Sequence, residues 1–130
     1  MRRHVANAYD YNAVGVTFCQ AGAYDLAIVQ LKEAVRLKPA VANYHFNLGG
    51  AYYGKGRLAD AEYELSEALR LEPGHIKAHW LRALCLEKAG RPAEALIEYR
   101  WVRSQAGNSM EGRNASEAIR GLEGPGSLQA

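Results

Sequence analysis

Two cysteines in 130 residues, Cys19 and Cys85, are too few to build a disulfide framework and form no metal-binding spacing. They read as small, reduced side chains, buried or half-buried. A dominant charge is missing too: the formal net charge is +2, basic and acidic residues are interleaved, and the one local basic run is "MRRH" at the start. Nothing in that balance calls for nucleic acid. No segment approaches the roughly 20 apolar residues that cross a bilayer, and no charged, apolar, small-residue series marks a signal peptide. No membrane insertion and a cytoplasmic location are therefore expected. The "GG" and "GKG" between residues 49 and 56 lack the following Ser or Thr and the preceding strand of a phosphate-binding loop, and no G-x-S-x-G elbow occurs. What remains is ordinary for one globular domain, with 48% hydrophobic and 23% charged residues.

The chain does contain a repeat of itself. "AIVQLKEAVRLKP" runs to Pro39, "AEYELSEALRLEP" to Pro73 and "ALIEYRWVRSQAG" to Gly107, each ending 34 residues after the last. In this register Gly15, Gly49 and Ala83 correspond, as do Gly22, Gly56 and Gly90, then Ala27, Ala61 and Ala95, then Leu31, Leu65 and Tyr99.

Each copy reads as two helices. In the second, Leu48, Ala51 and Tyr52 and then Leu58, Ala61, Leu65, Ala68 and Leu69 recur at helical spacing. Gly56 suits the left-handed turn between them, and Pro73 stops the second helix. Gly49 falls where the paired helices approach most closely, facing Ala61 and Ala68. Gly50 and Gly54 need another explanation: they lie on the opposite face, and a concave groove there, as the resemblance named next implies, would be widened by their missing side chains and admit another chain.

These residues resemble the tetratricopeptide repeat family, whose signature is W-x2-L-G-x2-Y, then A-x3-F, then P. The second copy carries Leu48, Gly49, Tyr52, Ala61, Leu65 and Pro73, and the first carries Val14, Gly15, Phe18, Ala27, Leu31 and Pro39. The third departs, with Arg82 for Leu, Ala83 for Gly, Val102 for Ala and Gly107 for Pro. The resemblance implies an all-α, right-handed α-solenoid of three helix-turn-helix repeats at about 8–41, 42–75 and 76–109. One domain then spans 1–123. "NASEAIRGLEG" reads as a short capping helix over 114–123 with Asn114 as its N-cap, followed by a flexible tail over 124–130.

The family resemblance implies a protein-protein interaction module, an adaptor or scaffold holding a peptide or a partner helix in a concave groove lined by the first helix of each repeat. Repeat register places Tyr9, Asn12, Phe46, Asn47, Gly50, Tyr53, Lys77, Trp80, Leu84 and Lys88 on that face, the aromatic rings as anchors. The family's carboxylate clamp for chaperone tails would fall on Asn12, Val16, Asn47, Lys77 and Leu81, of which only Asn47 and Lys77 match. The bidentate arginine is missing.

An alternative is a structural scaffold that oligomerises through its terminal repeats, making a homo-oligomer. A metal-dependent enzyme is a third reading. His75 and His79 stand four residues apart near Glu72, a spacing open to metal, yet His79 is the repeat equivalent of His45 and Tyr11, where the family packs an aromatic ring. The expectation is a non-enzymatic protein with no cofactor and no metal.

Overall fold

The computed structural model describes residues 5–124. The "MRRH" run and positions 125–130 of the expected tail lie outside the described residues. Seven α-helices follow in order: α1 (Ala8–Gln20), α2 (Tyr24–Leu37), α3 (Ala42–Lys55), α4 (Leu58–Leu71), α5 (Ile76–Lys88), α6 (Pro92–Ala106) and α7 (Met110–Glu123). No strand occurs among the described residues. Two compact units divide at Pro73–Gly74.

Local chemistry sets the helix ends. Asn7 opens α1 with a capping box: its side chain accepts from the Asp10 amide at 3.0 Å, and the Asp10 carboxylate accepts from the Asn7 amide at 3.1 Å. Each helix pair then turns through a left-handed glycine, Gly22 at φ 76°, Gly56 at φ 85° and Gly90 at φ 76°. The amides of Ala23, Arg57 and Arg91 reach back to the carbonyls of Phe18, Tyr52 and Leu86 at 2.8 to 2.9 Å, closing the same six-residue loop three times. A side chain at those φ values would be strained. At the other ends, α2 and α4 stop at Leu37 and Leu71, two residues short of Pro39 and Pro73, because a proline disfavours helical geometry in the residue before it.

In the first unit α1 packs on α2, α3 on α4, and α2 on α3. The close approach within each pair is at a glycine. A Cβ on Gly15 would fall 2.5 Å from Leu31 Cγ, and one on Gly49 would fall 3.1 Å from Leu65 Cγ and 3.4 Å from the Ala61 carbonyl oxygen. Ala27, Leu31, Ala34, Ala61, Leu65 and Ala68 are fully buried along these seams.

In the second unit the equivalent pair is Ala83 and Tyr99, both fully buried, in a core with Leu86, Ala95, Val102, Ala115 and Ile119. The Tyr99 hydroxyl donates to Glu87 at 2.8 Å, so the larger ring keeps its polar atom satisfied. The helix α7 covers this core, and it begins four residues before the expected start. Ser109, not Asn114, is the N-cap, accepting from the Gly112 amide at 3.2 Å. Gly112 is helical and buried against the Gly107 carbonyl, where a Cβ would clash with backbone.

Candidate peptide-binding cleft

In the first unit, α1 and α3 lie side by side behind a cleft of about 300 Å³ lined by Val16, Cys19, Gln20, Tyr24, Phe46, Asn47 and Gly50. Helical spacing explains the lining: Val16 and Cys19 recur at three residues along α1, and Phe46, Asn47 and Gly50 at one and three along α3. Beside it the Asn47 amide donates to Asn12 Oδ1 at 2.9 Å, tying the two helices together on the cleft face. No side chain lining the cleft carries a formal charge. Burial pushes the Cys19 thiol up from its ordinary range, which keeps it a neutral thiol at pH 7. The cleft is therefore a neutral, partly aromatic hollow with amides at its edge.

The residues placed on the groove by repeat register are met unequally. Asn12, Phe46, Asn47 and Gly50 come together at this cleft. Tyr9, in the first turn of α1, is exposed, and Tyr53 is half-buried in the last turn of α3. Lys77, Trp80, Leu84 and Lys88 belong to α5 of the second unit. There Lys77 and Lys88 are exposed, Leu84 packs against the core, and Trp80 lies on the Tyr99 ring with centroids 5.2 Å apart. Trp80 thus supports its own unit with part of the surface that the sequence offered to a ligand.

Gly54 does not widen the cleft. The ring of Tyr24, the first residue of α2, occupies the space where its side chain would stand, so this glycine lets the first repeat's turn close on α3. The same ring lines the cleft, and repeat register gave no sign of it, because the equivalents of Tyr24 are Leu58 and Pro92.

The histidines are engaged elsewhere. His75 is the N-cap of α5 and accepts from the Ala78 amide at 3.0 Å. His79 Nδ1 meets Glu98 Oε2 at 2.6 Å and its ring stacks on Trp101 at 3.7 Å. Glu98 also accepts from Arg82 at 2.7 Å, which explains the arginine standing where the repeat pattern has leucine. His45 makes the matching pair one repeat earlier, 2.7 Å from Glu64, while its Nε2 donates to the Pro39 carbonyl at 2.7 Å. Among the described residues no group of three or more His, Cys, Asp or Glu side chains could hold a metal ion. No described helix is long and apolar enough to cross a membrane.

Known proteins share this architecture. Models of the tetratricopeptide repeat match residues 15–56, 42–75 and 64–109, so that they tile the chain from 15 to 109. A co-chaperone of Cryptococcus neoformans with tetratricopeptide repeats and a J domain, DNJ1, is 32% identical over 91 residues, 69% of this chain. The chain spans 17% of that relative's length. A solved structure of a MamA point mutant is 31% identical, with a TM-score of 0.70 over 75% of this chain and 72% of that one. The first repeat domain of Spaghetti (RPAP3), bound to the HSP90 peptide SRMEEVD, superposes with a TM-score of 0.84 over 99% of this chain and all of that one at 23% identity. The chain belongs to the tetratricopeptide repeat family, an all-α helical repeat fold of protein-interaction modules.

Proposed function

We propose that the protein is a non-enzymatic adaptor that takes an apolar side chain of a partner peptide or helix into the cleft of its first unit. The observation that carries this reading is the Asn12–Asn47 amide pair standing beside a neutral hollow lined by Phe46 and Tyr24. Amides offer both donors and acceptors to a peptide backbone, while an uncharged, partly aromatic hollow favours an apolar residue over a charged one. Tyr9 and Tyr53 extend the proposed surface within the first unit, and Lys77, Trp80, Leu84 and Lys88 on α5 are proposed as a partner-binding face of the second unit in its own right, the lysines being suited to acidic residues of the partner. Peptide binding by a similar fold supports the class of ligand: the Spaghetti domain is bound to the HSP90 peptide SRMEEVD, whose last four residues include three acidic ones and end in aspartate. The lining of the present cleft has no cation to grip such a terminus, so an internal segment of the partner fits it better. A cytoplasmic adaptor with no nucleic-acid ligand completes the proposal. Selection of peptides from a random library tests it: a consensus with a central apolar residue supports the reading, and a consensus fixed by its terminal carboxylate counts against it.

A further inference from the structure

His45 has a hydrogen-bond acceptor at each of its ring nitrogens. Its Nδ1 lies 2.7 Å from Glu64 Oε2 on α4, and its Nε2 lies 2.7 Å from the carbonyl oxygen of Pro39, in the turn between α2 and α3. A neutral imidazole carries one N–H and can donate to only one of them. The other nitrogen would then turn its lone pair on an oxygen lone pair at hydrogen-bond distance. Both contacts are made only with a further proton, held either as imidazolium beside the carboxylate or as a protonated Glu64 that donates to Nδ1.

Charge balance leads to the same proton. The side chains of Glu64 and His45 are 12% and 7% exposed, and a carboxylate so far from water needs a compensating charge. Among the described residues His45 is the one side chain paired with Glu64. On the elements packed against α3, Arg36 pairs with Glu33 of α2, Arg57 with Asp60 and Arg70 with Glu67 of α4, and Asp10 of α1 closes its own cap, while Lys32 and Lys38 are exposed. One repeat later the equivalent Glu98 has Arg82 at 2.7 Å, a permanent cation that Glu64 lacks.

We propose that the His45–Glu64 pair captures one proton when the chain folds, and that this proton ties α3 to both the Pro39 turn and α4. Phe46 and Asn47 follow His45 directly, so the same proton steadies the residues that α3 gives the cleft, whatever the cleft binds. The sign of the effect follows from linkage. Above the range of an unfolded histidine, near pH 6.5, the folded chain keeps a proton that the unfolded chain has released. Stability is therefore full below that range and falls as pH rises, until the folded pair loses the proton as well.

Urea unfolding of the whole chain and of Glu64→Gln, in steps from about pH 6.5 to about pH 8, reads this proton below the ordinary thiol range. A glutamine amide can donate to Nδ1 of a neutral ring whose Nε2–H still meets Pro39, so Glu64→Gln satisfies both nitrogens without the extra proton. The folding equilibrium constant of the unaltered chain should fall more steeply than that of Glu64→Gln, by a factor approaching roughly tenfold per pH unit, the slope of one proton. His45→Gln, which removes the ring, carries the same comparison should Glu64→Gln fail to fold. Nitrogen and carbon NMR of the unaltered chain at about pH 7.5, above the unfolded histidine range, needs no variant: it should find both His45 ring nitrogens protonated, or Glu64 neutral. Equal slopes in the unaltered chain and the folded variant, or a neutral His45 ring beside an ionised Glu64, would each overturn the proposal.

Discussion

His45 meets Glu64 at 2.7 Å, and one period of the chain later His79 meets Glu98 at 2.6 Å: the same imidazole–carboxylate hydrogen bond joins the two helices of two successive repeats. All four side chains are at least four-fifths buried, and the first repeat has Tyr11 and Gln30 in their places. Removing one member leaves the other inside without its partner, and a buried polar group left unsatisfied costs about 1 to 3 kcal/mol. Glu98 has the additional bond from Arg82, so the effect should be larger there. Glu98→Ala is expected to lower stability to urea by about 2 to 4 kcal/mol. The cycle with His79→Ala should be non-additive by more than about 0.5 kcal/mol, since the residues share one network. Additive losses would mean that the pair is a bystander.

The Tyr24 ring and Gly54 make a second, testable contact. Gly54→Ala should destabilise by about 1 to 3 kcal/mol, because the ring has to move from the helix it rests on. In a Tyr24→Ala background the same change should be neutral or stabilising by up to about 1 kcal/mol, the ordinary helix preference for alanine over glycine. Equal costs in both backgrounds, read from urea midpoints, would show that the ring is not what excludes the methyl group.

Ala61 is fully buried where α4 passes Gly49, and overfilling that seam should be costly. Ala61→Leu is expected to lose about 1 to 3 kcal/mol of stability by thermal or urea unfolding. An unchanged midpoint would place the helix seam elsewhere.

Burial raises the Cys19 thiol, and the direction of the pH effect follows. As pH climbs through the ordinary thiol range, near 8.5, the unfolded chain ionises first. Stability is therefore full below that range and falls above it, until the folded thiol ionises as well. Cys19→Ser should flatten this loss between about pH 8 and pH 10. At pH 8 iodoacetamide should label native Cys19 more slowly than the urea-unfolded chain, and a peptide seated in the cleft should slow it further. Labelling at the unfolded rate would contradict the burial of this side of the cleft.

Much of this structure is legible in the residues because it depends on local chemistry repeated three times. Gly22, Gly56 and Gly90 mark the turns, where positive φ favours glycine, and Gly15 and Gly49 the seams, where a Cβ would crowd Leu31 and Leu65. Features made once, or between segments distant in sequence, are harder to read. Tyr24 against Gly54 joins residues 30 apart with no counterpart in the other repeats. The start of α7 was hidden because Asn114 offered a plausible N-cap inside the helix, while the actual start at Ser109 depends on Gly112 seating on the Gly107 carbonyl. His45 and His79 were legible as core positions but not as hydrogen-bond partners of carboxylates, because those partners lie 19 residues away on the next helix. Trp80 was legible as an aromatic on the groove side, yet its contact with Tyr99 required the third repeat's exchange of leucine for tyrosine.

Binding of a library-selected peptide to four forms of the protein tests the cleft most directly. Fluorescence anisotropy would give the affinity for the unaltered chain, Phe46→Ala, Asn47→Ala and Tyr63→Ala, the last an exposed ring on α4 outside the cleft lining. Truncating a central aromatic anchor typically costs about 2 kcal/mol, roughly thirtyfold in affinity. Phe46→Ala should weaken binding by that order, Asn47→Ala by a smaller factor, and Tyr63→Ala not at all. Full affinity in Phe46→Ala and Asn47→Ala, with loss in Tyr63→Ala, would contradict peptide binding at this cleft.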